Sequence, residues 1–552
     1  MKFQAVLLSH LLLSAQASAL PTDDRQPLSI RTNSKDSNSS KIDWSECNLD
    51  FGNDRVNKLQ QNFTCARLSV PLDYTSAGDG ETIKLDLIRA KATKEPFLGS
   101  VLYNPGGPGG SGVEAVLFQG RDFVEILGGQ YDVIGFDPRG TGRTIPFTCS
   151  LSDAGNSTTP DKLRRREFNT VPQVNTWDYV KAQWDLTKSN ANKCFKTQNK
   201  TGRFIGTPFV ARDMISIVDA LGQGPKLNYW GVSYGTILGQ VTASMFPERI
   251  GRMMIDSNLD AIDYASTTWM TSMRDVERAL AHLLDECVKS GKELCSLAEY
   301  SGKNTTGKSL FDEFRSTLEG FLDGSFTEGE IGKRNMTKIE RELVVFQFKT
   351  HISAGVKFSK NYPSAVSKVE ALFAGNVTGM TTGAQGGDSK TKWNTNLVES
   401  MNGISCGDSS FRVENKDDLF SNYQAHLTEG SWSENGPVNQ LVCSQWKFSA
   451  AEQININKLR NVKTSFPLLV INGPYDPVTP LSGAWEVSAR FRGSRVLVHE
   501  GVGHGFMNHP SNCTFEAVKN YFVDGEMPKL NTTCKPNAPV FERAAEQNDG
   551  SS

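Results

Sequence analysis

The pentapeptide Gly231-Val232-Ser233-Tyr234-Gly235 limits what this chain can fold into more than any other feature. It reads G-x-S-x-G. The β-prone run Leu227-Asn228-Tyr229-Trp230 precedes it, and 236–246 follows with apolar residues at helical spacing. A serine between a strand and a helix, with glycines on either side, is the layout of a sharp turn that lifts a hydroxyl to the edge of a sheet. The glycines remove the Cβ atoms that would obstruct so tight a turn. The helix that starts there also brings backbone N–H groups and the positive end of its dipole beside the hydroxyl. The same residues also read as an ordinary Gly/Ser turn, so the weight rests on other segments of the chain.

Three such segments stand out. Asn104-Pro105-Gly106-Gly107-Pro108-Gly109-Gly110-Ser111-Gly112 follows the strand candidate 100–103 and holds five glycines in nine residues. That is too many for a strand or helix interior, and it suits a backbone that must approach a ligand closely. A phosphate loop is disfavoured, because no Gly-Lys-Ser/Thr follows and the spacing is not G-x-G-x-x-G. The apolar run 467–471 reads as a buried strand leading to Asp476 in a Pro/Gly-rich turn. The run 494–498 reads as another, leading to Gly503-His504-Gly505. A serine, an aspartate and a histidine, each just past a strand, are the parts of nucleophilic acyl transfer. His504 would take the Ser233 proton and return it to the leaving group, and Asp476 would fix the imidazole tautomer and stabilise its cation. His499 and His509 are rival bases without flanking glycines. Asp256, which ends the strand candidate 253–256, is the rival acid.

The chain has 552 residues and a formal charge of −2 with the signs mixed. Nothing in that balance points to nucleic acid or an anionic membrane. Lys2, the apolar stretches 5–8 and 11–13, and Ala17-Ser18-Ala19 together read as a secretory signal over 1–19. Its apolar part is too short for a membrane span. Ten cysteines fall in loose pairs: Cys47/Cys65, Cys149/Cys194, Cys287/Cys295, Cys406/Cys443 and Cys513/Cys534. Sequential pairing is the simplest connectivity, which sequence alone does not fix. No C-x-x-C occurs, and neither a metal nor a cofactor is expected. Nine N-x-Ser/Thr sequons, at Asn38, Asn62, Asn156, Asn199, Asn304, Asn335, Asn376, Asn512 and Asn531, go with an exported glycoprotein.

The expected organisation is a signal peptide (1–19), a polar leader (20–59), a first core segment (60–257), a cap (258–444), a second core segment (445–525) and a polar, mobile tail (526–552) tethered at Cys534. In the first core segment 82–89 alternates like an edge strand, 131–137 reads as a buried strand, and 208–221 as an amphipathic helix. Arg139 and Arg143, in the loop after 137, either pin that loop to neighbouring acids or bind a substrate carboxylate; the first is preferred. Strands alternating with helices imply a mostly parallel sheet. The cap reads as helices over 272–290, 309–321, 338–351 and 363–373, broken by a Gly/Thr-rich loop at 375–387.

With these motifs in hand, the chain resembles the secreted tripeptidyl-aminopeptidase-like branch of the α/β-hydrolases, related to the prolyl aminopeptidases, over roughly 60–525. Residues 104–112 look like its oxyanion loop, 137–143 its next loop and 231–236 its nucleophile segment. Gly403-Ile404-Ser405-Cys406-Gly407-Asp408 looks like its cap segment, and Asp476 and His504 match its acid and base. A departure is Ser257 where the branch commonly has glycine. The resemblance implies an α/β-hydrolase fold, with helices on both faces of the sheet and a large helical cap inserted after the sixth strand. It implies an oxyanion hole from the amides of Gly107, or Gly106 in its stead, and Tyr234. It also implies a secreted serine exopeptidase, monomeric by preference, that releases short peptides from free N-termini. A cap carboxylate would meet the substrate ammonium: Asp408 first, Glu340 and Glu342 in reserve. The alternatives are a carboxylesterase or lipase-like enzyme with the same triad and an ester substrate, and a non-catalytic binding protein on this fold.

Overall fold

The computed structural model describes residues 42–76, 80–151, 170–267, 269–382 and 391–548. The expected signal peptide, Asn38 and Asn156 lie outside them. Ten strands form one sheet: β1 (Ser45–Glu46), β2 (Thr64–Pro71), β3 (Thr82–Ala90), β4 (Gly99–Asn104), β5 (Tyr131–Phe136), β6 (Leu227–Val232), β7 (Ile250–Asp256), β8 (Leu469–Asn472), β9 (Arg495–His499) and β10 (Thr533–Cys534). Their order is β1-β2-β3-β5-β4-β6-β7-β8-β9-β10. The pairings from β1 to β5 are antiparallel, and those from β5 to β10 are parallel.

The two faces follow from the two-residue period of a strand. Leu102, Ile134, Tyr229, Ile255 and Val470 bury against the helices Thr207–Leu221 and Tyr234–Met245 on one face. Their chain neighbours Val101, Val133, Trp230, Met254 and Leu469 bury against Gly112–Ile126 and Asn512–Val523 on the other. Burying a side chain of this size stabilises by roughly 1.5–3 kcal/mol. A one-residue slip in any central strand would reverse both faces at once. The register that sets the site is therefore strongly specified.

The sequence expectation of an edge strand at 82–89 is corrected: β2 pairs with β3 along its whole length, from Thr64–Arg89 to Pro71–Thr82, so β3 is internal. The helical insertion follows β7, the sixth core strand once the two-residue β1 is set aside. Its long helices are Val276–Ser290, Gly307–Asp323, Lys338–Gly355, Tyr362–Phe373 and Leu397–Asp408. Part of the segment between β5 and β6 joins it, since Trp177, Val180 and Trp184 pack on Leu419, Tyr423 and Leu441.

The tail is not a loose end. β10 pairs with β9, Cys534 is bonded to Cys513, and the helix Val540–Asn548 buries Val540, Phe541 and Ala544. The other disulfides join Cys47–Cys65, Cys149–Cys194, Cys287–Cys295 and Cys406–Cys443. The seven described sequon asparagines are all exposed. No helix among the described residues is long and apolar enough to cross a membrane.

Candidate active site

Ser233, Asp476 and His504 all lie just past the carboxyl ends of parallel strands of the sheet, β6, β8 and β9, with β7 between the first two. Ser233 has φ 58° and ψ −124°, a strained conformation for a non-glycine residue. The surroundings hold it there. Its amide donates to Asp256 O at 3.1 Å and its carbonyl accepts from Thr236 N at 2.8 Å. A Cβ on Gly231 would come within 2.3 Å of Gly235 O, and one on Gly235 within 2.7 Å of Asn104 O. Both motif glycines are thus required by close backbone contact. The helix begins at Tyr234 with Ser233 as its N-cap, so the Tyr234 and Gly235 amides have no acceptor one turn back in the helix.

The glycine loop after β4 presses on this turn. A Cβ on Gly106, at φ 96°, would lie 2.5 Å from Val232 O and 2.8 Å from Ser233 Cβ. The Gly106 amide donates to Asn104 Oδ1 at 3.0 Å. The loop is braced from behind: Ser111 Oγ and Trp393 Nε1 each donate to Asp137 at 2.6 Å. Arg139 is fully buried on Asp213, bidentate at 2.6 and 2.9 Å. Arg143 lies 4.0 Å over the Trp393 ring. Arg139 pins the loop to an acid, and Arg143 pins it to an aromatic ring.

His504 Nδ1 lies 2.9 Å from Asp476 Oδ2 and 3.1 Å from Oδ1. Asp476 also accepts from Thr479 Oγ1 at 2.6 Å, Val478 N at 2.8 Å and Thr479 N at 3.0 Å. Burial pushes its carboxyl up, but the imidazole and these donors outweigh that and hold it below the usual carboxylate range. The rival acid behaves differently. Asp256 is wholly buried, meets the Phe506 amide at 3.3 Å, and its Oδ1 has no partner among the described residues. Burial drives its carboxyl well above the ordinary range. The turn carrying His504 is seated on the serine elbow, with Phe506 stacked 5.5 Å from Trp230.

The rival histidines have structural partners. His499 Nδ1 pairs with Thr514 Oγ1 at 2.9 Å, and burial pulls its pKa down to about 4. His509 accepts from Val502 N at 3.3 Å and meets Ala538 O at 2.6 Å.

The expected ammonium acceptors have partners within the protein. Asp408 is 1 % exposed. Its carboxylate accepts from Thr207 N at 2.9 Å, Thr207 Oγ1 at 2.6 Å and Tyr264 OH at 3.0 Å. It caps the helix Thr207–Leu221 behind Tyr234 and presents no free oxygen to a substrate. Glu340 closes a capping box with Thr337 on an exposed helix end, and Glu342 pairs with Lys338 at 3.7 Å. Three residues escaped the sequence reading: Thr479, whose Asp-x-x-Thr turn was a local signal, and Lys357 and Ser359, which approach from the cap with none.

Strand order, serine elbow and histidine turn together define an α/β-hydrolase, and the chain is a serine hydrolase. The α/β-hydrolase fold family matches residues 99–296, and the TAP-like protein family matches 431–534. The chain is 25% identical over 516 residues to a tripeptidyl aminopeptidase of Streptomyces lividans, covering 90% of this chain and 87% of the relative. It is 26% identical over 506 residues to the serine protease Hip1 of Mycobacterium tuberculosis, covering 89% and 91%. To carboxylesterase B of the same organism it is 24% identical over 487 residues, covering 86% of each.

Proposed function

We propose that the protein is a secreted exopeptidase that releases short peptides, tripeptides among them, from free N-termini. Ser233 Oγ attacks the scissile carbonyl while His504 Nε2 takes its proton. The tetrahedral oxyanion forms between the amides of Gly107 and Tyr234. His504 then hands the proton to the departing amine, and water, activated in the same way, releases the acyl group. Asp476 holds the imidazole with Nδ1 protonated throughout. The observation that carries the reading is the Asp476–His504 pair, seated by its own turn on the strained Ser233 elbow. Chain-long similarity to a tripeptidyl aminopeptidase supports the peptidase half, and five disulfides support an oxidising compartment.

A second reading, a carboxylesterase with the same triad, is favoured by the similarity to carboxylesterase B. Acyl transfer to water requires the same groups in both. The test is one panel of substrates: free and N-acetylated tripeptidyl chromogenic amides and acyl esters, with wild type and Ser233→Ala. A strong preference for the free amine, abolished with all turnover in Ser233→Ala, is the expected result. Equal cleavage of free and acetylated peptides, or turnover of esters alone, would overturn the exopeptidase reading.

A further inference from the structure

The turn that carries His504 is gripped from the cap as well as from the core. Lys357-Phe358-Ser359 follows the cap helix Lys338–Gly355, and Ser359 is 1 % exposed. His504 N donates to Lys357 O at 2.9 Å. Asn508 Nδ2 donates to His504 O, and Ser359 Oγ donates to Asn508 O at 2.5 Å. These three hydrogen bonds close a ring through the tripeptide, which holds the histidine main chain at both its N–H and its C=O. The fit leaves no slack. Gly503, at φ 85°, has no room for a side chain, because a Cβ there would lie 2.6 Å from Lys357 O. Gln547, on the C-terminal helix, backs Ser359 at 3.2 Å.

Asp476 orients the imidazole ring but leaves the height and tilt of the turn to other contacts. The ring of hydrogen bonds supplies them, and two of its partners belong to the cap. We propose that Ser359 is a positioning residue for the reaction: it locks the histidine turn to the cap, so proton transfer from Ser233 proceeds at full rate only with the cap seated. The inference rests on His504 being the base. Displacing a reacting group by about 1 Å can cost on the order of a hundredfold in rate, so loss of one bond of the ring is readable in kcat.

The test uses the full chain and three variants, Ser359→Ala, Ser359→Thr and Asn508→Asp, assayed on a free tripeptidyl amide and by the rate at which a phosphonate labels Ser233. Ser359→Ala should lower kcat and labelling about ten- to a hundredfold, with KM and the thermal midpoint near wild type. Ser359→Thr keeps the hydroxyl and should restore kcat. Asn508→Asp removes the donor to His504 O and should reproduce the loss from the other half of the ring. Wild-type kcat in Ser359→Ala, or a threonine variant as slow as the alanine one, would overturn the proposal, as would a loss of rate that tracks a lowered melting temperature. His504→Ala separates the two claims: full turnover there would overturn the assignment of the base itself.

Discussion

Asp476 bonds to His504 Nδ1 at 2.9 Å, whereas Asp256, one strand nearer the nucleophile, bonds through its side chain to the Phe506 amide. Two buried carboxyls thus stand under one histidine turn, shifted in opposite directions. His504 and three hydrogen bonds keep Asp476 ionised. Burial, with the Asp476 charge adding to it and the Phe506 amide opposing it, pushes the Asp256 carboxyl well above the usual carboxylate range. Asp476→Asn should therefore lower kcat by roughly 10⁴-fold, the scale of losing the tautomer-fixing acid. Asp256→Asn keeps the side-chain shape and an oxygen for the Phe506 amide, and Asp256 makes no bond to His504 among the described residues, so this variant should keep near wild-type turnover. Steady-state kinetics on the two variants decide the matter, and the reverse ranking would move the acid to β7.

Gly106 offers a test of the oxyanion loop that leaves every titratable group in place. Gly106→Ala should retain the fold yet slow phosphonate labelling of Ser233 by about a hundredfold, because the new methyl must push the loop off Val232 O and Ser233 Cβ. Gly222→Ala is the control. It shares a positive φ, 65°, but nothing lies within 4 Å of its Cβ, so it should cost about 1 kcal/mol of stability and no rate. Equal labelling by both variants would refute the close contact.

The Arg139–Asp213 pair is predicted to hold the loop after β5 at a measurable cost when broken. Both side chains are fully buried, so Arg139→Met strands a carboxylate that keeps, among the described residues, only the Tyr74 hydroxyl at 2.8 Å. That should destabilise by about 3–5 kcal/mol. The double variant Arg139→Met/Asp213→Leu should recover most of the loss, because it leaves no unpaired buried charge. Thermal midpoints of the three proteins test this, and a double variant less stable than the single one would contradict it.

Most of the sheet was legible because buried parallel strands read as short apolar runs ending in Gly- or Pro-rich turns. Ser233, Asp476 and His504 all sit at such ends. β3 misled because its alternation, exposed at Lys84 and buried at Leu85, is the pattern of a strand with one wet face; β2, which covers its edge, alternates in the same way at Arg67-Leu68-Ser69-Val70, and alternation alone does not say which of two such strands is outermost. The C-terminal helix was read as mobile because Val540, Phe541 and Ala544 are few among polar neighbours, and no local pattern shows that the cap buries them. The partners of Asp408 were hidden for a related reason. Its partners Thr207 and Tyr264 lie 201 and 144 residues away in the chain, so sequence could mark the carboxylate as buried in the cap segment but not as already occupied.

Asp408 itself gives a prediction whose sign is fixed by linkage. Burial pushes its carboxyl from 3.8 up to about 6, against the pull of Thr207 and Tyr264. Between those two values the folded protein holds a proton that the unfolded chain has released, so this group's contribution to stability falls as pH rises from about 4 to about 6. The deficit is complete above that window and amounts to roughly 3 kcal/mol. Asparagine does not ionise and still offers an oxygen to the Thr207 amide. The stability of Asp408→Asn relative to wild type should therefore climb as pH rises from 4 to 7, read as a widening difference in thermal midpoint. Because both carboxylate oxygens are engaged by Thr207 and Tyr264, the same variant should keep the preference for free over N-acetylated tripeptidyl substrates. A midpoint difference that stays flat across this range would argue against the raised carboxyl. Loss of the free-amine preference would return Asp408 to the substrate site.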